Sequence, residues 1–83
     1  MEQINNNSYT RLLSNLKNAP DDERILKALS SWKQEISTEK LELRLDRLSV
    51  LQVYTREAGF PAHIRMTIFR FIHSARQEWK PAA

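Results

Sequence analysis

The feature that most limits what this chain can fold into is its scarcity of helix-breaking residues: one glycine and three prolines in 83 residues. An all-β fold needs a turn roughly every 8–12 residues, and turns draw on Gly, Pro, Asn and Asp for their special backbone angles. The breakers here, Pro20, Gly59, Pro61 and Pro81, leave long uninterrupted segments between them. Those segments carry apolar residues at helical spacing, so the sequence predicts an all-α fold. The expected architecture is a compact bundle of three to four helices, roughly 8–18, 20–36, 38–58 and 61–79, behind a disordered polar N-terminus.

In the first segment Tyr9, Leu12, Leu13 and Leu16 recur at helical spacing, with Asn7 or Ser8 placed to cap the start. The second opens on Pro20, Asp21, Asp22 and Glu23. Proline's missing N–H is not needed in a first turn, and carboxylates there complement the helix dipole. Ile25, Leu29, Trp32 and Ile36 form its stripe, flanked by Leu26. Ser37 is the expected cap of the third helix, with Ile36 and Leu41 as a hydrophobic staple. Gly59 supplies a left-handed residue after that helix, Phe60 folds back toward Tyr54, and Pro61 restarts the chain. In the fourth helix Ile64, Ile68, Phe71, Ile72, Ala75 and Trp79 share one sector at ~100° per residue, before Pro81 stops it. The alternation of Leu41, Leu43 and Leu45 with Glu42, Arg44 and Asp46 also matches a half-buried strand. Leu, Glu and Arg are helix formers, however, and no hairpin turn separates the strands, so a helix is predicted.

A chain this short holds one core, so residues 8–83 are read as a single helical domain and 1–7 as a flexible tail. With no cysteine, there is no disulfide framework and no thiolate for a metal or a nucleophile. The opening MEQINNNS lacks the basic-then-apolar pattern of a secretory signal, and no apolar run reaches the length of a membrane span. The expected location is cytoplasmic. Thirteen Lys and Arg against ten Asp and Glu give a formal charge of +3, a mild bias toward acidic partners.

Catalytic chemistry is not expected. His63 and His73 are the two histidines, and ten residues of helix place them more than two turns apart, too far to chelate one ion. No HExxH and no glycine-rich phosphate loop occurs. Asp21, Asp22 and Glu23 are accounted for by a helix start. No cofactor, metal or catalytic residue is therefore predicted, and Trp32 and Trp79 belong to apolar stripes, where aromatic residues serve the core.

Two surfaces look spare. The third helix gathers Leu41, Leu45, Leu48 and Leu51 on one side and Leu43, Val50, Val53 and Tyr54 on largely the other. Either it is the central helix, covered by the second on one flank and the fourth on the other, or one stripe is left for a partner. The fourth helix carries Arg65, Arg70, His73, Arg76 and Lys80 opposite its apolar sector, with Met66 and Phe69 among them. The functional expectation is a small non-catalytic regulator or adaptor that binds a protein, with an acidic partner or a homodimer as the occupants. Its expected contact residues are Leu43, Val50, Val53, Tyr54, Arg65, Phe69, Arg70, His73 and Arg76. The alternative is a dimeric DNA-binding regulator with the same arginines on phosphates. A helix-turn-helix fits poorly, because Arg65 stands where a buried apolar residue would lock the helix pair. A membrane-surface role is set aside, since the apolar side of the fourth helix is needed for the fold.

Overall fold

The structure, a computed structural model, describes the backbone of residues 3–80 and the side chains of residues 9–80. Four helices make up the described residues: α1 (Gln3–Lys17), α2 (Asp22–Ile36), α3 (Leu41–Glu57) and α4 (Ala62–Glu78). Residues 18–21, 37–40 and 58–61 connect them, and the body measures 37 × 29 × 20 Å. The helical reading of 41–46 holds. Met1 and Glu2 of the expected tail and Pro81 as a helix stop lie outside the described residues.

Helix ends depart from expectation in ways that have local causes. α1 begins at Gln3, inside the polar segment read as a tail, so Asn7 and Ser8 lie within the helix and do not cap it. Once a helix is nucleated, each further residue adds a hydrogen bond at a propensity cost of only a few tenths of a kcal/mol, so polar residues extend it. Pro20 stands just before the cap of α2: the Asp21 carboxylate accepts the backbone N–H of Arg24 at 2.9 Å, and Asp22 and Glu23 occupy the first turn. Ser37 ends α2 instead of starting α3, its hydroxyl donating to the Gln34 carbonyl at 2.7 Å. α3 starts three residues later than predicted, with Lys40 in the cap position and no side-chain cap hydrogen bond. At this helix start the Arg47 guanidinium grips both oxygens of Glu39, at 2.9 and 3.1 Å. Gly59 follows α3 at φ +74°, and the Pro61 carbonyl accepts the first backbone bonds of α4.

α1 packs on α2, α2 on α4, and α4 on α3. The edge of one tyrosine ring against another, Tyr9 to Tyr54 at 5.2 Å, joins α1 to α3. Of the two readings of α3, the central placement flanked by α2 and α4 does not hold: α2 and α4 form the central pair. Paired positions fix the directions. Arg11 meets Glu35 at 3.1 Å, while Asn15 and Asn18, further along, line a hollow with Arg24 and Lys27, so α1 and α2 are antiparallel. Arg76 donates to the Ser49 hydroxyl at 2.8 Å while the Arg44 guanidinium lies 4.9 Å from the Trp79 ring centre, so α3 and α4 are antiparallel too. By contrast, Lys33 pairs with Glu78, 45 residues on, and Asp22 and Leu26 line a groove with Thr67 and Phe71. α2 and α4 therefore run in the same direction. Tyr9 and Tyr54 are also separated by 45 (54 − 9), and the tripeptide Tyr-Thr-Arg stands at 9–11 and again at 54–56. The second helical hairpin lies alongside the first in the same orientation.

The core collects one stripe from each helix: Tyr9, Leu12 and Leu16; Ile25, Leu29, Trp32 and Ile36; Leu48 and Leu51; Ile68, Ile72 and Ala75, with Phe60 from the corner. The predicted α4 sector enters it whole, Ile64, Phe71 and Trp79 at its edge. Thr55 is fully buried; its hydroxyl donates to the Leu51 carbonyl at 2.7 Å, which meets the need that burial creates. Trp79 gathers cations from two other helices, Lys33 at 5.5 Å and Arg44 at 4.9 Å from its ring centre. This ties α2, α3 and α4 at one end of the body.

Two outcomes follow. Gly59→Ala meets no atom within 4 Å of the new methyl group, so its cost is the strain of an L-residue in the left-handed region, about 1–2 kcal/mol; it is read as a lowered urea midpoint with an unchanged m value. The Tyr9 phenol is held above its ordinary pKa chiefly by burial, which the nearby Arg47 only partly offsets. The folded protein therefore keeps this proton to higher pH than the unfolded chain does. The resulting stability is complete below the unfolded tyrosine pKa of about 10 and is lost as pH climbs toward the folded value. Denaturant titrations from pH 9 to 11.5, limits set by that ~10 reference, should show a steeper alkaline decline in the native protein than in Tyr9→Phe.

Candidate functional site

A helix of 17 residues that buries one side against neighbours leaves the other to water, and what stands there decides whether it is merely solvated. On α3 the buried side is Leu48, Leu51 and Thr55, with Leu41 and Leu45 half-buried beside them. The opposite side carries Leu43 and Val53, which are 43% and 48% exposed. Val50 and Tyr54 lie between them, half-buried and packed against the core from outside. Spacings of seven and eleven residues from Leu43 bring Val50 and Tyr54 onto one line along the helix, with Val53 at its edge. The four form a strip about three turns long. Exposed Asp46 and Glu57 share this side, so its charge is negative.

Where Tyr54 meets Tyr9 the strip continues onto α1 through a cleft lined by Tyr9, Thr10, Leu13 and Tyr54. Tyr9 is the pivot of that seam: its ring touches Tyr54 and, at 6.0 Å, Trp32, while its buried hydroxyl has no hydrogen-bond partner. Glu39 holds Arg47 charged and in place beside it, an arrangement that raises the arginine pKa through that hydrogen bond.

The basic residues expected on α4 do not form one face. Arg65 is half-buried, and its Nε atom is shut away from water with no hydrogen-bond partner. Arg76 is half-buried, bonded to Ser49 across the α3–α4 seam. Phe69 is half-buried against the core. Arg70 stands on the other flank of α4, in the groove it shares with α2, and His73 is exposed. Of the nine residues predicted to bind a partner, four are thus gathered on α3. Arg76 lies at the α3–α4 seam, Arg65 and Phe69 are half-buried on α4, Arg70 lines the groove with α2, and His73 is exposed. A helical projection of α4 alone placed the arginines together because it carries no information on which flank each neighbour covers.

Two exposed apolar residues were not singled out as binding residues by sequence reasoning. Leu26, read as a flank of the α2 stripe, is 44% exposed, and Met66 on α4 is 53% exposed. Met66 had a visible signal, since it interrupts a basic face. Leu26 had none, because a second apolar residue beside a full stripe is equally consistent with a wider buried face. Among the described residues no group of three or more His, Asp or Glu side chains is placed to hold a metal ion, and no helix is long and apolar enough to cross a membrane.

Comparison with known protein families, with curated protein sequences and with solved structures found no match for this chain.

Proposed function

We propose that this chain is a small non-catalytic helical adaptor or regulator that binds a protein partner through the outward strip of α3. The observation that carries the reading is the pair Leu43 and Val53, 43% and 48% exposed on a helix whose opposite side already fills the core. Single exposed leucines are ordinary on any protein surface; a contiguous strip with an aromatic residue in it is not, and such strips mark interfaces. Tyr54 supplies a flat, rigid anchor with little rotamer entropy to lose, the kind of residue on which binding energy concentrates. The partner presents apolar side chains to the strip. Acidic groups on the partner are matched by α4, where Arg70, His73 and Lys80 are exposed, and not by α3, which contributes Asp46 and Glu57.

Nucleic acid is the less favoured ligand. Phosphate recognition depends on several cations free to reach a backbone, whereas Arg76 is engaged by Ser49 and Arg65 is half-buried.

The test separates binding from folding. Leu43→Ser with Val53→Ser should change stability by no more than about 0.5 kcal/mol per site, the range of surface substitutions. Leu48→Ala, at a fully buried position, should cost about 2–5 kcal/mol. Immobilised native protein should retain a defined partner from its host's lysate at near-stoichiometric yield, and the doubly substituted protein should lose it by about tenfold or more. Equal retention by both proteins, or salt-sensitive binding of a DNA duplex in place of a protein, would overturn the proposal.

A further inference from the structure

The 17-residue helix α3 carries three acids and three arginines, and the fold separates them. Arg44 is half-buried against Trp79, 4.9 Å from the ring centre, and Arg47 is half-buried in its two-oxygen grip on Glu39. Arg56 is exposed, but it stands seven residues after Ser49 and so shares the flank on which Ser49 meets Arg76 of α4. Glu42, Asp46 and Glu57 lie elsewhere. At ~100° per residue they fall with Leu43, Val50, Val53 and Tyr54 inside one arc of about 120°, and no Lys or Arg of α3 falls inside it. All three acids are exposed, and none forms an ion pair among the described residues.

Two features leave this charge unbalanced. Glu42 and Asp46 stand four residues apart on one face, where like charges repel. Glu57 occupies the last turn, where the helix dipole is itself negative, so carboxylate and dipole add. The acids therefore hold a negative potential at both ends of an apolar line, in a chain whose formal charge is +3. They repel the phosphates of nucleic acid and of anionic lipid, and they attract cations. We infer that the occupant of the α3 strip is a basic amphipathic helix of a partner protein, an assignment that rests on the strip being the partner-binding surface.

Apolar side chains of that helix cover Leu43, Val50, Val53 and Tyr54, and its Lys or Arg side chains reach Asp46 and Glu57. Those two acids are 11 residues apart (57 − 46), about 16 Å at ~1.5 Å per residue. The partner's cations accordingly stand three turns apart along one of its sides. A helix suits the shape of the surface. α1 and α3 run side by side in the same direction and meet where the Tyr9 and Tyr54 rings touch, beside an open seam lined by Tyr9, Thr10, Leu13 and Tyr54. An amphipathic helix lays its apolar face along such a seam. One helix face is a small interface, so the complex is weak and transient, with a micromolar dissociation constant.

Selection from a displayed library of helical peptides tests the idea with the intact chain. Each peptide carries a leucine stripe at helical spacing over about 18 residues, five turns, with the positions beside the stripe randomised. Clones retained equally by the protein bearing Leu43→Ser and Val53→Ser are subtracted. Lys and Arg should be enriched beside the stripe, most strongly in pairs three turns apart. A synthetic copy of a selected peptide should bind the native protein, and Asp46→Lys combined with Glu57→Lys should weaken that binding by about tenfold or more. Helical circular dichroism should be unchanged in that variant, since both positions are exposed. Enrichment of Asp, Glu or uncharged residues, or an affinity indifferent to the double charge reversal, would overturn the basic helix while leaving the strip as a binding surface. A selection that yields no clone dependent on Leu43 and Val53 would overturn the strip and its basic partner together.

Discussion

The parallel contact of α2 with α4 is the interaction on which the rest of this structure depends. Each hairpin, α1 with α2 and α3 with α4, has a single apolar layer to bury. Neither is large enough to be stable by itself in water, where isolated helices of this length are marginal. Joining the two through their second helices puts Leu29, Trp32, Ile68 and Ile72 in a common interior. It also fixes which surfaces remain outside. α3 is displaced to the periphery with one stripe buried and one facing out, and α1 reaches α3 chiefly through a pair of tyrosine rings.

Most of the fold was legible because helix formation here is driven by local pattern. The apolar stripe of α2 enters the core residue for residue, that of α4 enters it with Ile64, Phe71 and Trp79 at the edge, and Gly59 adopts the left-handed angle that its position after α3 required. What the pattern could not supply was the order of helices around the core. A helical projection says which side of a helix is apolar but not which helix covers it, so α3, apolar on both sides, could be read either as central or as carrying a spare stripe. The repeat of Tyr-Thr-Arg 45 residues apart was present in the sequence. It matches the offset at which the two hairpins lie side by side, but three residues are too few to read as a repeat. Capping was misread at Ser37 for a different reason: serine bonds backbone groups on either side of a helix boundary, and here it closes α2.

The exposure of the candidate surface was legible in part. Leu43 and Val53 are exposed on the helix that the spacing indicated. The arginines were not separable in advance, since Arg65, Arg70 and Arg76 are chemically alike and differ only in which neighbour each one faces. Arg76 finds Ser49, while Arg70 shares a groove with a carboxylate that it does not reach within its own chain. The two open apolar surfaces thus differ in character. The α3 strip is bordered by Asp46 and Glu57, and the α2–α4 groove holds one acidic and one basic residue.

Trp79 fastens three of the four helices at one end of the body, through Lys33 of α2 and Arg44 of α3, while α1 takes no part in that fastening. Consequently α1 is held by its own stripe, Tyr9, Leu12 and Leu16, and not by that clamp. The flank of α3 next to the exposed strip meets α1 through the edge contact of Tyr9 with Tyr54.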